Sequence, residues 1–273
     1  MSIKSKLSMQ IEKRKMIGVV GGMGPYSGLD LIKKIFDLTK ADQDQDHVPL
    51  AMISVPHKIE DRTKFLEGAT DINPGIEISR IVNQLSQQGA SFIGMPCNTA
   101  HSPAIIKEVY NTMPKGVTFI NMIVEVIKFI QDKYQGVDRV GVLATAGTIK
   151  ANVYNDQLIK NNLIPIILAK EEQKELIDES IYNKDFGIKS KSDPVHKNAL
   201  KNIELAIESL IEKKAEIIIL GCTELPLAIN SPSYKSVPLI DSTMVLAKSL
   251  LIYLNTKGVK KTINKKWRRS KII

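Results

Sequence analysis

Cysteine is scarce in this chain: two in 273 residues, Cys97 and Cys222. Two thiols cannot make a disulfide framework, and a reducing, cytoplasmic setting is the simplest expectation. Long hydrophobic runs are also missing. No segment approaches the ~20 apolar residues of a membrane span, so no membrane partner is expected. The first fifteen residues carry charge without a continuous apolar stretch, which predicts no secretory signal. Aromatic residues are only 5% of the chain, beside 43% hydrophobic and 25% charged residues. That balance is ordinary for a globular protein and excludes a collagenous or low-complexity chain. At roughly 100–200 residues per domain, the length suits one large or two modest domains.

Acidic residues are outnumbered, 29 to 38, for a net charge of +9. The excess is local: 1–15 carries +4 and 257–273 carries +8, leaving −3 for 16–256. The basic character therefore belongs to two tails, with Trp267 amid the second. A folded nucleic-acid-binding domain would more often carry a basic face of its own, so a nucleic-acid partner is not expected.

Short apolar segments at 16–22, 49–55, 90–95, 118–120, 139–143, 164–168 and 216–220 read as strands. Amphipathic segments at 26–39, 76–88, 123–133, 153–160, 171–181 and 194–213 read as helices. Their alternation predicts an α/β fold with mainly parallel sheets flanked by helices. The halves echo each other. Ala90-Ser91-Phe92-Ile93-Gly94-Met95-Pro96-Cys97-Asn98-Thr99 parallels Ala215-Glu216-Ile217-Ile218-Ile219-Leu220-Gly221-Cys222-Thr223-Glu224. We read two similar α/β domains, 16–118 with about 238–256 and 119–237, flanked by the basic tails.

Each cysteine falls just past a strand, where open α/β sheets place ligands. Each precedes a helix start, with Asn98, Thr99, Thr223 and Glu224 as capping candidates. The helix dipole there would favour a thiolate. A single free cysteine is commonly a small buried hydrophobe, but two at matched positions point to shared chemistry. Facing thiols suit a 1,1-proton transfer, one removing a proton and the other returning one on the opposite face. A redox pair is the competing reading, although no CxxC is present. Metal binding is weaker, since neither cysteine has a partner at zinc spacing, and no metal is expected.

The turn Gly21-Gly22-Met23-Gly24 invites a phosphate-binding reading. However, Gly22-x-Gly24 followed by Gly28 misses GxGxxG by one residue, and a tight turn beside the substrate fits better. His47, His57 and His196 have no sequence partners, so solvated or packing roles are expected. His101, four residues after Cys97, would share its face on a helix and either tune the thiol or make a structural hydrogen bond.

Met95-Pro96-Cys97-Asn98-Thr99-Ala100-His101 and Gly221-Cys222-Thr223-Glu224-Leu225 resemble the two signatures of the cofactor-independent aspartate/glutamate racemase family, in its aspartate branch. So do Gly18-Val19-Val20-Gly21-Gly22-Met23-Gly24-Pro25, Glu60-Asp61-Arg62-Thr63, Leu143-Ala144-Thr145-Ala146-Gly147-Thr148 and Ile240-Asp241-Ser242-Thr243. The resemblance spans about 16–250. Glutamate racemases usually carry His where Glu224 stands. The resemblance implies an active site in the inter-domain cleft, no cofactor, and Cys97 and Cys222 as the acid/base pair. It implies Arg62 for a substrate carboxylate and Lys189, on a loop, for a second one, with Lys184 and Lys191 close enough in sequence to be alternatives for that place. Met23, Asn98, Thr99, Thr145, Thr148, Thr223 and Glu224 would line the substrate, and Glu224 could also tune a thiol. The implied activity is PLP-independent racemisation of a small dicarboxylic amino acid, aspartate above all, by a homodimer. Glutamate or broader specificity, and a non-catalytic amino-acid-binding role, are the alternatives.

Overall fold

The computed structural model describes residues 15–256; apart from Lys15, the basic tails lie outside the described residues. Four parallel strands form one sheet in the order β2-β1-β3-β4: β1 (Met16–Gly21), β2 (Leu50–Ser54), β3 (Ala90–Gly94) and β4 (Thr118–Ile120). The second sheet runs β6-β5-β7-β9-β8, with β5 (Arg139–Leu143), β6 (Ile164–Ile166), β7 (Ile217–Leu220), β8 (Ser233–Tyr234) and β9 (Val237–Asp241). Among the strands of the described residues, only the edge strand β8 is antiparallel. Ile217–Leu220 is buried at every position, as expected where a parallel sheet is covered on both faces.

Helices Pro25–Leu38, Met122–Lys133 and Ser242–Thr256 lie between the sheets. Their Leu31, Val126, Ile130, Leu246 and Leu250 share one continuous core with Ile17, Val19 and Phe92 of the first sheet. Val140, Val142, Ile217 and Ile219 of the second join the same core. The outer faces are covered separately. Ile78, Ile81 and Leu85 of Pro74–Gln87 pack on the first sheet, and Ile203, Ile207 and Leu210 of Lys197–Glu212 pack on the second. The two α/β units are thus joined by a common middle layer.

Segment 238–256, expected with the first half, divides at Asp241. Val237–Asp241 extends the second sheet beside β7, and only Ser242–Thr256 turns back onto the first. Pro238 obscured this strand. It stands one residue outside the β7 ladder, which starts at the Ile218–Leu239 pair, so its missing N–H costs no bond there. The first sheet also continues through Ile120. The expected helix 171–181 is helical but contains a π-helical stretch, Gln173–Asp178. The helix expected from 194 begins at Lys197, where His196 Nδ1 accepts the Asn198 N–H at 3.2 Å. His196 is therefore a cap.

Candidate active site

The two cysteine turns meet. Cys97 and Cys222 are free thiols, 5% and 7% exposed, beyond the ends of β3 and β7. Thr223 Oγ1 donates to the Pro96 carbonyl at 3.3 Å, tying the residue after one cysteine to the residue before the other. The expected capping roles do not hold: none of Asn98, Thr99, Thr223 or Glu224 makes a side-chain capping bond. Cys97 is followed by a 3-10 turn, Thr99–His101, and Cys222 by the four-residue helix Leu225–Ala228. After the first turn the nine-residue helix Pro103–Asn111 starts at its N-cap Ser102, beyond Asn98 and Thr99, so these side chains are left to turn inward.

Thr99 and Thr148 hydroxyls lie 2.7 Å apart, Thr145 and Thr148 3.1 Å, and Thr99 and Thr145 3.4 Å, forming a buried cluster across the halves. Beside it, Tyr154 donates its hydroxyl to Asn98 Oδ1 at 2.6 Å. Asn98 Nδ2 reaches Ser242 Oγ at 3.4 Å, and Ser242 donates to the Leu220 carbonyl at 2.9 Å. This network fixes which way the Asn98 amide points. Tyr154 escaped sequence reasoning, because a tyrosine in an amphipathic segment carries no mark of a buried polar role. Ser242 lay within a motif already singled out.

The π-helical stretch explains the second half's opening. Gln173 donates to the Ala144 carbonyl at 2.6 Å, and Asp178 accepts the Ala146 N–H at 3.0 Å. Both hold the Thr145–Thr148 turn in place; such π segments recur at functional sites. Gly147 lets that turn meet the first half, since a Cβ there would fall 2.5 Å from Thr63 Oγ1.

His101 makes the structural hydrogen bond and leaves the thiol alone. Its Nδ1 donates to the Cys97 carbonyl at 2.8 Å and its Nε2 accepts the Met122 N–H at 3.3 Å. That pattern requires one proton on the ring. Burial drives the imidazole down to about 4, against a small opposing effect of the carbonyl.

Glu224 occupies the centre of the second turn. Its Oε1 lies 2.6 Å from Lys189 Nζ, and its Oε2 accepts the Cys222 thiol at 2.9 Å. Burial opposes its charge, yet Lys189 and these hydrogen bonds outweigh burial and hold the carboxyl below the usual range. Burial, and then the Glu224 charge, push the Cys222 thiol well above its ordinary value, and Lys189 offsets this only in part. The expected helix-dipole lowering is therefore reversed at Cys222. The four-residue helix that follows is too short to compete with burial beside an anion.

Arg62 opens the helix Arg62–Glu67, capped by Asp61, whose Oδ1 accepts Thr63 and Lys64 N–H groups. Asp61 is thereby occupied, and Arg62 donates to the Glu60 carbonyl at 3.2 Å while its buried Nε has no protein partner. Burial works against its charge, but Cys97, Asp61, Tyr182 and Glu224 nearby sustain it. Met23, 3% exposed, belongs to the apolar cluster that contains Met95 and Cys97. Lys189 is the lysine paired with Glu224; Lys184 lines one neighbouring cleft, and Lys191 shares a second with Lys189. One cleft holds Thr63, Gly147, Asp178, Glu179 and Tyr182; the other holds Tyr26, Lys189, Lys191, His196 and Lys197. Among the described residues no cluster of His, Cys, Asp and Glu could hold a metal, and no helix is long and apolar enough to cross a membrane.

Two similar parallel-sheet units that pair their cysteine turns define a two-thiol α/β protein. The family profile for Asp/Glu/hydantoin racemases matches residues 20–250, and the chain belongs to that family. It is 28% identical over 247 residues to the broad-specificity amino-acid racemase RacX of Bacillus subtilis, covering 86% of this chain and 96% of that one. Among solved structures it is similar to the aspartate racemase of Picrophilus torridus. There the TM-score is 0.74 and the identity 28%, over 93% of this chain and 98% of that one. The glutamate racemase of Francisella tularensis, with D-glutamate, shares the fold at a TM-score of 0.60 and 19% identity, over 89% and 82% of the respective chains.

Proposed function

We propose that this racemase acts without PLP on a small dicarboxylic amino acid, aspartate foremost, through two-base proton transfer by Cys97 and Cys222. The observation that carries the reading is the junction of the two buried cysteine turns at the Thr223–Pro96 bond, with Arg62 and Lys189 beside them. One thiolate removes the α-proton and the opposite thiol returns a proton to the other face. This is general acid–base catalysis by paired groups. The site charges are two cations and one carboxylate, the complement of two carboxylates and one ammonium. Arg62, with its free Nε, suits bidentate capture of a carboxylate. Asn98 and the Thr99–Thr145–Thr148 cluster supply neutral donors and acceptors for the rest of the α-carbon substituents. Burial keeps water from the carbanionic centre and strengthens every charge contact there.

The match to a broad-specificity racemase favours a second reading, in which several amino acids are accepted. Incubation with single enantiomers of a D- and L-amino-acid panel, followed by chiral chromatography, separates the two. The dicarboxylate reading expects interconversion of aspartate first and glutamate second, both well above alanine and asparagine. Equal rates across the panel would refute it, and a ligand that binds without α-deuterium exchange would mark a non-catalytic binder.

A further inference from the structure

One carboxylate serves both Lys189 and the Cys222 thiol. Glu224 is 5% exposed and fixed by its bond from Cys222, whereas Lys189 leaves 29% of its side chain in solvent at the rim of the basic cleft. Lys189 also belongs to an irregular segment between Tyr182 and Lys197, with its ammonium 6.0 Å from the Tyr182 ring centre. The more exposed partner of this ion pair is therefore the lysine, the one an incoming ligand can reach. The Gly24 turn packs directly over the pair: a Cβ there would lie 3.2 Å from Glu224 Oε1 and 3.6 Å from Lys189 Nζ. Any carboxylate entering this corner meets an ammonium that already has an anion.

Resting on the dicarboxylate-racemase reading, we infer that Glu224 is a specificity-determining residue. It holds Lys189 in the empty site, and the second carboxylate of a substrate takes that ammonium from it. A ligand with two carboxylates can exchange one partner of Lys189 for another. A ligand with a single carboxylate, held by Arg62, has nothing to offer Lys189 and leaves the Glu224 pair closed. The exchange also leaves Glu224 to the Cys222 thiol alone, so occupancy of the side-chain pocket reaches the acid/base group through one residue.

Removing the internal competitor must strengthen binding of an external dicarboxylate. Calorimetric titration of the full chain with succinate, and with propionate as the monocarboxylate control, tests this in wild type, E224Q and E224D. E224Q keeps an acceptor for the thiol and removes the charge. Succinate should bind E224Q about ten-fold tighter, the equivalent of about 1.4 kcal/mol, with propionate unchanged. In E224D the carboxylate is drawn back by one methylene, and succinate affinity should fall between the two. The KM for aspartate should drop with the succinate Kd while kcat does not rise. Wild-type or weaker succinate binding in both variants would overturn the inference, as would equal tightening of propionate. Loss of α-deuterium exchange from wild type itself would instead sink the racemase reading, and the succinate titration would still decide the role of Glu224.

Discussion

His101 should make the protein's stability depend on pH between neutrality and pH 4. The ring is buried and bonded at both nitrogens as a neutral imidazole, donating to Cys97 and accepting from Met122. Its pKa in the fold is about 4, against 6.5 for an ordinary histidine. The unfolded chain therefore binds the proton more readily across this interval. The stabilisation is complete above pH 6.5 and is lost as pH falls through the folded value. Each unit corresponds to about 1.4 kcal/mol, so the contribution lost is about 2 kcal/mol by pH 5 and about 3 kcal/mol by pH 4. Urea unfolding of wild type and His101→Gln, followed by circular dichroism at pH 7.5, 6, 5 and 4, measures it. The carboxylates titrate in both proteins, so the difference between their pH slopes isolates the histidine. His101→Gln should start about 1–3 kcal/mol less stable at pH 7.5, from imperfectly replaced hydrogen bonds, and converge on wild type at pH 4. Parallel pH profiles would refute the neutral bridging role, and convergence at high pH instead of low would reverse its sign.

Other perturbations probe the site directly. Arg62→Lys keeps the charge but loses the fork that presents the unpartnered Nε. The KM for aspartate should rise about ten-fold or more with little change in melting temperature; an unchanged KM would remove Arg62 from substrate binding. Tyr154→Phe strips the donor from Asn98 Oδ1. It should cost about 1–3 kcal/mol in urea unfolding and lower kcat more than KM, since the freed amide no longer has one orientation. Wild-type stability and kcat together would show that the network is dispensable.

Most of the frame was legible because buried parallel strands leave continuous apolar runs, as at Ile217–Leu220, while the flanking helices repeat at 3.6 residues. Strand Val237–Asp241 was hidden by Pro238. The helix Ser242–Thr256 was hidden by its composition: a helix packed on several sides loses the polar stripe that announces one. At the candidate site, the cysteines and Arg62 stood in quoted motifs, and Lys189 came from the family resemblance. Their second-level partners did not, because Tyr154–Asn98 and Lys189–Glu224 join residues 56 and 35 positions apart. His101 and Cys222 show the same limit in electrostatics. Sequence placed Cys222 before a helix start and His101 on the face of Cys97, whereas burial sets the protonation of both, reinforced at Cys222 by Glu224.

Handling of the α-proton by both thiols is tested most directly by incubating single enantiomers of aspartate in deuterium oxide with wild type, Cys97→Ala and Cys222→Ala, reading α-deuterium by NMR and enantiomer ratio by chiral chromatography. Wild type should racemise both enantiomers with deuterium in the product. Each variant should lose racemisation by at least the ~10²–10⁴-fold expected for a missing acid or base, with folding intact by circular dichroism. Racemisation at the wild-type rate in either folded variant would contradict the account.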